Sequence, residues 1–269
     1  MRLGWALAIV VGGVASACSL VTSLNGFSSG ESAHVGDGGD ASPPGPDVAE
    51  GRDDGSTSTL SWCATHAPDA GFCEDFDERG IDLFDRKVTD NGEVRVDTTV
   101  SRSAPASLRA SAGPGRAEVA AFVAKAGAPN PTRARVAFDL RIDTAHPSSS
   151  AELVHLELGG DSRWYDVGLG VTEGGQAVYA YEFSANPSIY NEHMMSKAIP
   201  LATWVRMTMT ADLAAKTVTI EREDDPAAPT APIVVPFTGP LQLELGIAYA
   251  RTGQSGWSVL MDNVVFDWN

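Results

Sequence analysis

The sequence contains little of three things: cysteine, basic residues and helical patterning. Its three cysteines are too few for a disulfide-rich scaffold, and two of them with no third or fourth ligand nearby argue against a structural zinc site. Lysine and arginine number 19 against 35 aspartates and glutamates, a net charge of −16, so the chain lacks the basic surface that nucleic acids require. We find no segment in which apolar residues recur at the helical period. These shortages exclude a zinc-finger protein, a nucleic-acid-binding protein and a helical bundle.

The N-terminus has the layout of a secretory signal. Arg2 precedes an apolar run from Leu3 to Val14, and small residues from Ala15 to Ala17 stand directly before Cys18. This stretch resembles a bacterial lipobox, the signature of lipoproteins whose cysteine is diacylated, for example with palmitate, and becomes the mature N-terminus. The resemblance implies a signal peptide over residues 1–17, lipid attachment at Cys18, and export to the cell envelope as an outer-membrane lipoprotein.

Two other interpretations of the leader stay open. A lipobox usually has leucine three residues before the cysteine, where this chain has Ala15, and residues 15–17 also fit the small-x-small site of ordinary signal peptidase. An uncleaved membrane span is the second alternative, because no charged residue occurs from Leu3 to Gly30 and a spanning helix needs about 20 apolar residues. In the lipoprotein interpretation, the lipid is the only contact with the membrane.

Residues 18–55 form a predicted tether between the anchor and the folded domain. From Glu31 to Asp54 the sequence is rich in Gly, Pro, Ser, Ala and Asp, with Arg52 as its single base, so we expect it to be disordered and extended by charge repulsion. The tether also contains GFSSG at residues 26–30, which matches the Gly-x-Ser-x-Gly motif of serine hydrolases. The sequence predicts neither a strand before this motif nor a helix after it, so we do not interpret its serine as a nucleophile.

Cys63 and Cys73 are predicted to form a disulfide bond. If Cys18 carries lipid, they are the two cysteines that remain in an exported chain. They bracket CATHAPDAGFC, a loop rich in Ala, Pro and Gly that can close in an oxidising compartment. A ring this short adds at most about 3 kcal/mol by the loop-entropy model. We therefore expect the disulfide to fasten one corner of the domain.

Residues 56–269 are predicted to be one all-β domain. Apolar and polar residues alternate along segment after segment, and turn-forming residues separate neighbouring segments. In TRARVAFDLRID, at residues 132–143, the apolar residues from Ala134 to Ile142 fall on one face, and the arginines and Asp139 fall on the other. Many short antiparallel strands at this spacing predict a two-sheet sandwich or jelly roll.

The order of several motifs resembles the concanavalin A-like lectin/glucanase fold, a two-sheet jelly roll that includes laminin-G-type domains. The motifs are an opening FCEDFDE, SLR after a Ser/Ala/Pro turn, VAFDLRID, YDVGL, WVRMTMT followed by TVTIE, and a closing LMDNVVFD, from about Gly71 to Asn269. Members of this fold bind or cleave carbohydrate or act as surface adhesion modules. The resemblance implies a ligand face on the concave sheet or its rim loops.

The sequence argues against a glucanase site. Glucanases of this fold carry Glu-x-Asp-x-Glu or Glu-x-Asp-x-x-Glu in one strand, whereas AELVHLELGGD has Val154 where the aspartate would stand between Glu152 and Glu157. In a regular strand, residues five apart point to opposite faces and are about 16 Å apart along the chain. Retaining cleavage needs carboxylates about 5–5.5 Å apart, so Glu152 and Glu157 could act together only if the strand contains a bulge. His155 and Glu157 share a face, which suits a lyase base, a metal ligand or simply a solvated polar surface.

The polar faces of four strands supply the candidate ligand-binding residues. Trp164 and Trp204 could stack on a sugar ring, unless a loop or a chain terminus covers them. The full set of candidates is Arg141, His155, Glu157, Trp164, Asp166, Trp204 and Arg206. We predict that these residues converge into one groove if their strands belong to one sheet.

Two further groups of residues are a stripe of aromatic side chains and a pair of possible calcium ligands. Tyr179, Tyr181 and Phe183 form one stripe, which we assign to the hydrophobic core. Asp262 and Asn263 are candidate ligands of a structural calcium ion, which takes six to eight oxygens. No other cofactor is expected.

These features together predict a monomeric surface lipoprotein whose non-catalytic jelly-roll domain binds a glycan or another surface partner. The alternative is a carbohydrate-active enzyme, either a polysaccharide lyase or a glycoside hydrolase, whose active site these sequence patterns do not reveal. A third alternative is a purely structural module of the envelope.

Overall fold

The computed structural model describes residues 61–115, 118–143, 145–159, 165–185, 188–225, 229–234, 239–251 and 256–269. The chain divides into two units, Met1–Gly55 and Ser56–Asn269, and every described residue belongs to the second. The predicted signal peptide, Cys18, the tether and Trp164 lie outside the described residues. Within the described part of the chain, no helix has the length and apolarity needed to cross a membrane.

Strands make up nearly all of the regular structure of the described residues. The helices are α1, Trp62–His66, and a short 3-10 helix, Glu173–Gly175. The strands are β1 Phe72–Glu74, β2 Arg86–Asp90, β3 Gly92–Asp97, β4 Ser107–Ala112, β5 Glu118–Pro129, β6 Arg133–Ile142, β7 Ala151–Leu158, β8 Tyr165–Val171, β9 Ala177–Ala185, β10 Ser188–Lys197, β11 Val205–Asp212, β12 Thr217–Arg222, β13 Thr230–Pro232, β14 Pro240–Arg251 and β15 Trp257–Trp268.

The strands form two antiparallel sheets. The first sheet has the order β13-β12-β11-β6-β15-β4-β3, with β1 added against β15, and the second sheet has the order β10-β9-β8-β7-β14-β5-β2. Buried side chains from both sheets form one hydrophobic cluster, which includes Phe138 of β6 and Leu156 of β7. This architecture confirms the predicted all-β, two-sheet jelly roll of the concanavalin A-like type.

Strand β6 shows why the alternating pattern was a reliable guide. Val136, Phe138 and Leu140 are fully buried in the hydrophobic cluster between the sheets. Asp139 and Arg141 stand between or beside them and point to the outer face of the first sheet, because successive side chains on a strand alternate between faces. The local sequence is therefore enough to decide which residues of β6 face the core.

The second sheet differs from this simple pattern because its middle strands are buried on both faces. All seven residues of β8, Tyr165–Val171, are buried. Val167 and Leu169 belong to the hydrophobic cluster, whereas Asp166, Gly168 and Gly170 point the other way. A layer of polar and aromatic side chains covers this outer face, and the candidate site lies in that layer.

Helix α1 packs against the outer face of the first sheet. A disulfide bond joins Cys63 of the helix to Cys73 of β1, which confirms the predicted pairing. The ring of Trp62 lies 5.2 Å from the guanidinium carbon of Arg206 on β11. The sequence analysis found no helix because a five-residue helix is too short to show a period.

Candidate functional site

The candidate residues predicted from sequence lie in two different sheets. Arg141 is on β6 and Arg206 on β11, and Trp204 directly precedes β11, so these three belong to the first sheet. His155 and Glu157 are on β7 and Asp166 on β8, in the second sheet. The predicted convergence of the whole set into one groove is therefore wrong. The two subsets point outward from opposite sides of the sandwich.

The arginines of the first sheet are held by neighbouring protein groups. Arg206 donates from Nη1 to the main-chain oxygen of Asn263 at 2.7 Å and to Oδ2 of Asp139 at 3.2 Å. Arg141 donates from Nη2 to Oδ1 of Asp143 at 3.3 Å. Burial lowers the pKa of Arg206, against the attraction of Asp139. These contacts give both arginines a structural role on the outer face of the first sheet.

Asp262 and Asn263, the candidate calcium ligands, hold a loop through hydrogen bonds. The carboxylate of Asp262 accepts the main-chain N–H groups of Arg102 at 2.7 Å and Ser103 at 3.0 Å. Oδ1 of Asn263 accepts the hydroxyl of Ser103 at 2.7 Å. In the described ranges, no group of His, Cys, Asp and Glu side chains is arranged to hold a metal ion.

A buried histidine with carboxylates around both ring nitrogens lies at the centre of the second sheet's outer face. Nε2 of His155 is 3.3 Å from Oε2 of Glu152, and Nδ1 is 3.3 Å from Oε2 of Glu244 and 3.9 Å from Oδ2 of Asp166. The ring of Tyr181 meets the imidazole edge-on, with centroids 5.5 Å apart. We call these five residues the His155 cluster.

A bulge in β7 makes this cluster possible. Residues three apart on a regular strand face opposite sides, yet Glu152 and His155 contact each other on one side. The register of β7 against β8 shifts between Glu152 and Val154, and its register against β14 shifts at the same point, between Leu245 and Tyr249. The extra residue turns Glu152 to the outer face. The sequence analysis named a bulge as the condition for Glu152 and Glu157 to share a face, and the structure contains one.

The charges in the His155 cluster shift one another's pKa values. Burial alone lowers the pKa of His155, but the adjoining carboxylates of Glu152 and Glu244 outweigh burial and raise the pKa from 6.5 to about 10. Burial raises the pKa of Asp166 from 3.8 to about 7, although His155 opposes the shift. Burial and the nearby Glu244 also raise the pKa of Glu157. At neutral pH the cluster is thus a buried imidazolium among carboxylates. One of these carboxylates, Asp166, titrates close to neutral pH.

Two tyrosines cover the strand next to the histidine. Tyr179 and Tyr181 of β9 are opposite Gly170 and Gly168 of β8, and a Cβ atom at either glycine would overlap the ring of its partner tyrosine. The rings can lie across β8 only because these positions are glycine. Both hydroxyl groups are buried, and that of Tyr181 finds no hydrogen-bond partner among the residues described.

The sequence analysis assigned these tyrosines to the core, and the structure buries them outside the hydrophobic cluster between the sheets. They are buried, with exposed fractions of 1%, but they alternate with Val178 and Ala180, which are the residues that face the core. The sequence contains two patterns that correspond to this packing, Gly-x-Gly in YDVGLGV and Tyr-x-Tyr in AVYAYEF. Only the register between β8 and β9 shows that each tyrosine lies opposite a glycine.

More accessible side chains border the His155 cluster. On one side, Arg86 of β2 binds Glu244 at 2.6 Å and lies over the ring of Phe122. On the other side, Tyr190 of the edge strand β10 stacks on Tyr181 with centroids 6.4 Å apart and is 52% exposed. The outer face of the second sheet thus has a buried charged centre and an aromatic and polar rim.

Comparison with known proteins shows similarity of fold only. No protein-family model and no curated protein matches this chain. Among solved structures, the chain is similar to the cellulose induced protein Cip1, with a TM-score of 0.55 and 14% identity over 72% of this chain and 96% of that one. It is also similar to alginate lyase vAL-1 from Chlorella virus, with a TM-score of 0.53 and 7% identity over 70% of this chain and 94% of that one.

A third similar structure is a carbohydrate esterase from the Shiga toxin-encoding bacteriophage phi24B. Its TM-score is 0.50, with 12% identity over 74% of this chain and 98% of that one. Because the match covers nearly the whole of each of these proteins, the described domain has the same two-sheet sandwich as they do. At these identities the similarity assigns no activity to the chain.

Proposed function

We propose that the outer face of the second sheet binds a polysaccharide. The observation that carries this proposal is that the ring of Tyr190, which is 52% exposed, stacks on Tyr181. The buried hydroxyl of Tyr181 lacks a partner among the described residues and lies next to the charged ring of His155. Sugars need aromatic surface together with hydrogen-bond donors and acceptors, and this face offers both. The solved structures of similar fold include an alginate lyase and a carbohydrate esterase, which supports a carbohydrate ligand as an analogy of fold.

Binding fits this face better than catalysis does. A general base must accept a proton near the working pH, but His155 is held as an imidazolium, with its pKa raised to about 10. The charged groups are also enclosed, since His155 is 4% and Asp166 is 2% exposed, whereas the reacting atom of a substrate must come within hydrogen-bond distance of the catalytic group. The exposed Tyr190 and Arg86 at the rim are available to a bound chain without any rearrangement.

A pair of glycine variants tests the proposal. Gly168→Ala places a methyl group where the ring of Tyr181 lies, so it displaces the ring at a cost of about 1–3 kcal/mol and should abolish retention on polysaccharide. Gly113→Ala is the matched control, because a Cβ there meets no atom within 4 Å. Affinity electrophoresis across a panel of soluble polysaccharides should retain the wild type and Gly113→Ala on at least one polymer. Equal retention of both variants, or no retention of the wild type, contradicts the proposal.

A carbohydrate-active enzyme is the second candidate function, and one observation favours it. Asp166 has a pKa of about 7 and lies directly opposite Glu157 across β7 and β8, which is the kind of carboxylate pair that acid and base catalysis uses. The same panel is therefore assayed for release of reducing ends and of unsaturated ends. Product release by the wild type, lost in Asp166→Asn, would make the enzyme the better description.

We also propose that the domain is displayed on the cell envelope through lipid on Cys18. The apolar run after Arg2 and the small residues before the cysteine support this, and the disulfide in the folded domain fits an oxidising compartment. Membrane fractionation should move Cys18→Ser to the soluble fraction, and mass spectrometry should find acyl chains on the wild-type N-terminus. An unmodified Cys18 in the membrane-bound protein would refute the anchor.

A further inference from the structure

The outer face of the second sheet carries more negative than positive charge. Around His155, the described carboxylates are Glu152, Glu157, Asp166 and Glu244, and the described cations are His155 and Arg86. At the rim, Glu192 acts on Tyr179, and Arg251 acts on Glu152. Even with Asp166 left out and this rim pair counted, four carboxylates face three cations. One of those cations, Arg86, is half exposed and is already bound to Glu244.

A second feature points to a ligand at the same place. The hydroxyl of Tyr181 is buried without a hydrogen-bond partner among the described residues, and its ring is in edge contact with the imidazole of His155. A buried hydroxyl without a partner loses the free energy of the hydrogen bond it made in water. This hydroxyl can accept a hydrogen bond from a ligand donor, which the surrounding carboxylates would also attract.

The crowding of negative charge favours proton binding. Burial, together with the neighbouring carboxylates, raises the pKa values of Glu157 and Asp166, so each carboxylate holds a proton more readily than an exposed one does. A positively charged group on a ligand would also neutralise these carboxylates. It would interact more strongly with them than with exposed carboxylates, because they are partly buried. A ligand carboxylate would add to the repulsion instead.

We propose that this face prefers glycans with protonated amino groups, such as glucosamine polymers, over neutral glycans and over polyuronates. This inference rests on the proposed polysaccharide-binding function and names the class of sugar. The glycan supplies an ammonium group to the partly exposed carboxylates of Glu152 and Glu157, and the rim side chains Tyr190 and Arg86 contact the sugar rings.

Three hexasaccharides of different charge class test the preference. Titration calorimetry at about pH 6 and low salt compares the glucosamine hexamer, the N-acetylglucosamine hexamer and a hexauronate. We expect the glucosamine hexamer to bind about tenfold more tightly than the acetylated one, the hexauronate to bind most weakly, and the difference to shrink at high salt because screening weakens charge interactions. Equal affinity of the first two hexamers overturns the preference.

Charge variants separate a local effect from the general attraction of an acidic chain for a cation. Glu157→Gln removes one charge from the face and keeps an oxygen that can accept the 2.9 Å hydrogen bond from Gln242, so the preference should fall about three- to tenfold. Glu93→Gln removes the same charge from the first sheet, where the side chain is 63% exposed, and should leave the preference unchanged. An equal loss in both variants shows attraction by net charge alone and refutes the proposal.

The outcomes also separate this inference from the function on which it rests. If polymers in the polysaccharide panel are retained but none of the hexamers shows the predicted order, the inference fails and polysaccharide binding stands. If the wild type is retained on no polymer and binds no hexamer, both fail together.

Discussion

Replacing His155 by glutamine should destabilise the protein strongly, and the cost should depend on pH. The imidazole is the central cation among Glu152, Glu244 and Asp166, with N···O separations of 3.3, 3.3 and 3.9 Å. Glutamine fills a similar space and still donates hydrogen bonds, but it carries no charge. The variant therefore leaves buried carboxylates facing one another with no cation between them.

The magnitude follows from the charge that is lost. Each unit of pKa shift corresponds to about 1.4 kcal/mol, so a rise from 6.5 to about 10 sets an upper limit near 5 kcal/mol. Removing one partner of a buried ion pair typically costs about 3–5 kcal/mol. We therefore expect the variant to lose about 3–5 kcal/mol of unfolding free energy near neutral pH, a large share of the stability of a typical domain.

The sign of the pH dependence is specific. Because the pKa of His155 is higher in the folded than in the unfolded chain, its stabilisation is complete below about 6.5 and is lost as pH rises through about 10. Towards acidic pH the carboxylates become protonated and no longer need the imidazolium. The difference between wild type and His155→Gln should thus be largest near neutral pH and shrink on both sides.

Urea unfolding at about pH 4, 7 and 10 measures this difference. His193→Gln is the matched control, because it replaces a half-buried histidine on the edge strand β10, outside the His155 cluster. The double variant His155→Gln with Glu244→Gln should recover part of the loss, because it removes one of the opposing charges. A cost below about 1 kcal/mol at pH 7, or an equal cost at all three pH values, would show that His155 is not a buried imidazolium.

Three further predictions concern the rest of the domain. Cys63→Ser should cost at most about 3 kcal/mol in thermal unfolding, because the ring it opens has a sequence separation of only 10, and a complete loss of folding would contradict a purely local role. Glu74 has a pKa raised by burial from 4.5 to about 7, so wild-type stability should increase as pH falls from 8 to 5. Glu74→Gln keeps an acceptor for the N–H of Phe76, and should flatten that slope and gain up to about 3 kcal/mol at pH 8, whereas an unchanged slope in urea unfolding would disprove the assignment. Leu169→Ala should cost about 2–5 kcal/mol through the cavity it leaves in the core while polysaccharide retention persists, and a smaller loss would mean that the core collapses around it.

The local pattern of the sequence was enough to predict the strands and their inner faces. Side chains on a strand alternate with a period of two, so the apolar residues of β6 identify its core-facing side without any knowledge of its neighbours. The disulfide between Cys63 and Cys73 was predictable for a similar reason, since the two residues are close in sequence. In each case the deciding interaction lies within a short stretch of chain.

The sheet to which a strand belongs could not be predicted in this way. The pattern of Arg141 on β6 is the same kind of alternation as that of His155 on β7, yet the two strands lie in different sheets and face opposite ways. The outward-facing residues of a strand are polar in both sheets, so the alternating pattern does not show to which sheet the strand belongs. The predicted groove failed because sheet membership depends on pairing between strands far apart in the chain, as between β6 and β15.

The candidate site itself was decided by the tertiary structure. Glu152 reaches His155 only because β7 carries an extra residue where it pairs with β8, at the point where its pairing with β14 also shifts. An extra residue in one strand reverses the face of everything beyond it. Tyr181 lies over Gly168, beside His155, only because of the register of β9 against β8. Sequence alone determined that these residues are on strands and that most are polar. Register and bulges brought them together, since both arise from hydrogen bonds between strands and leave no period in either strand alone.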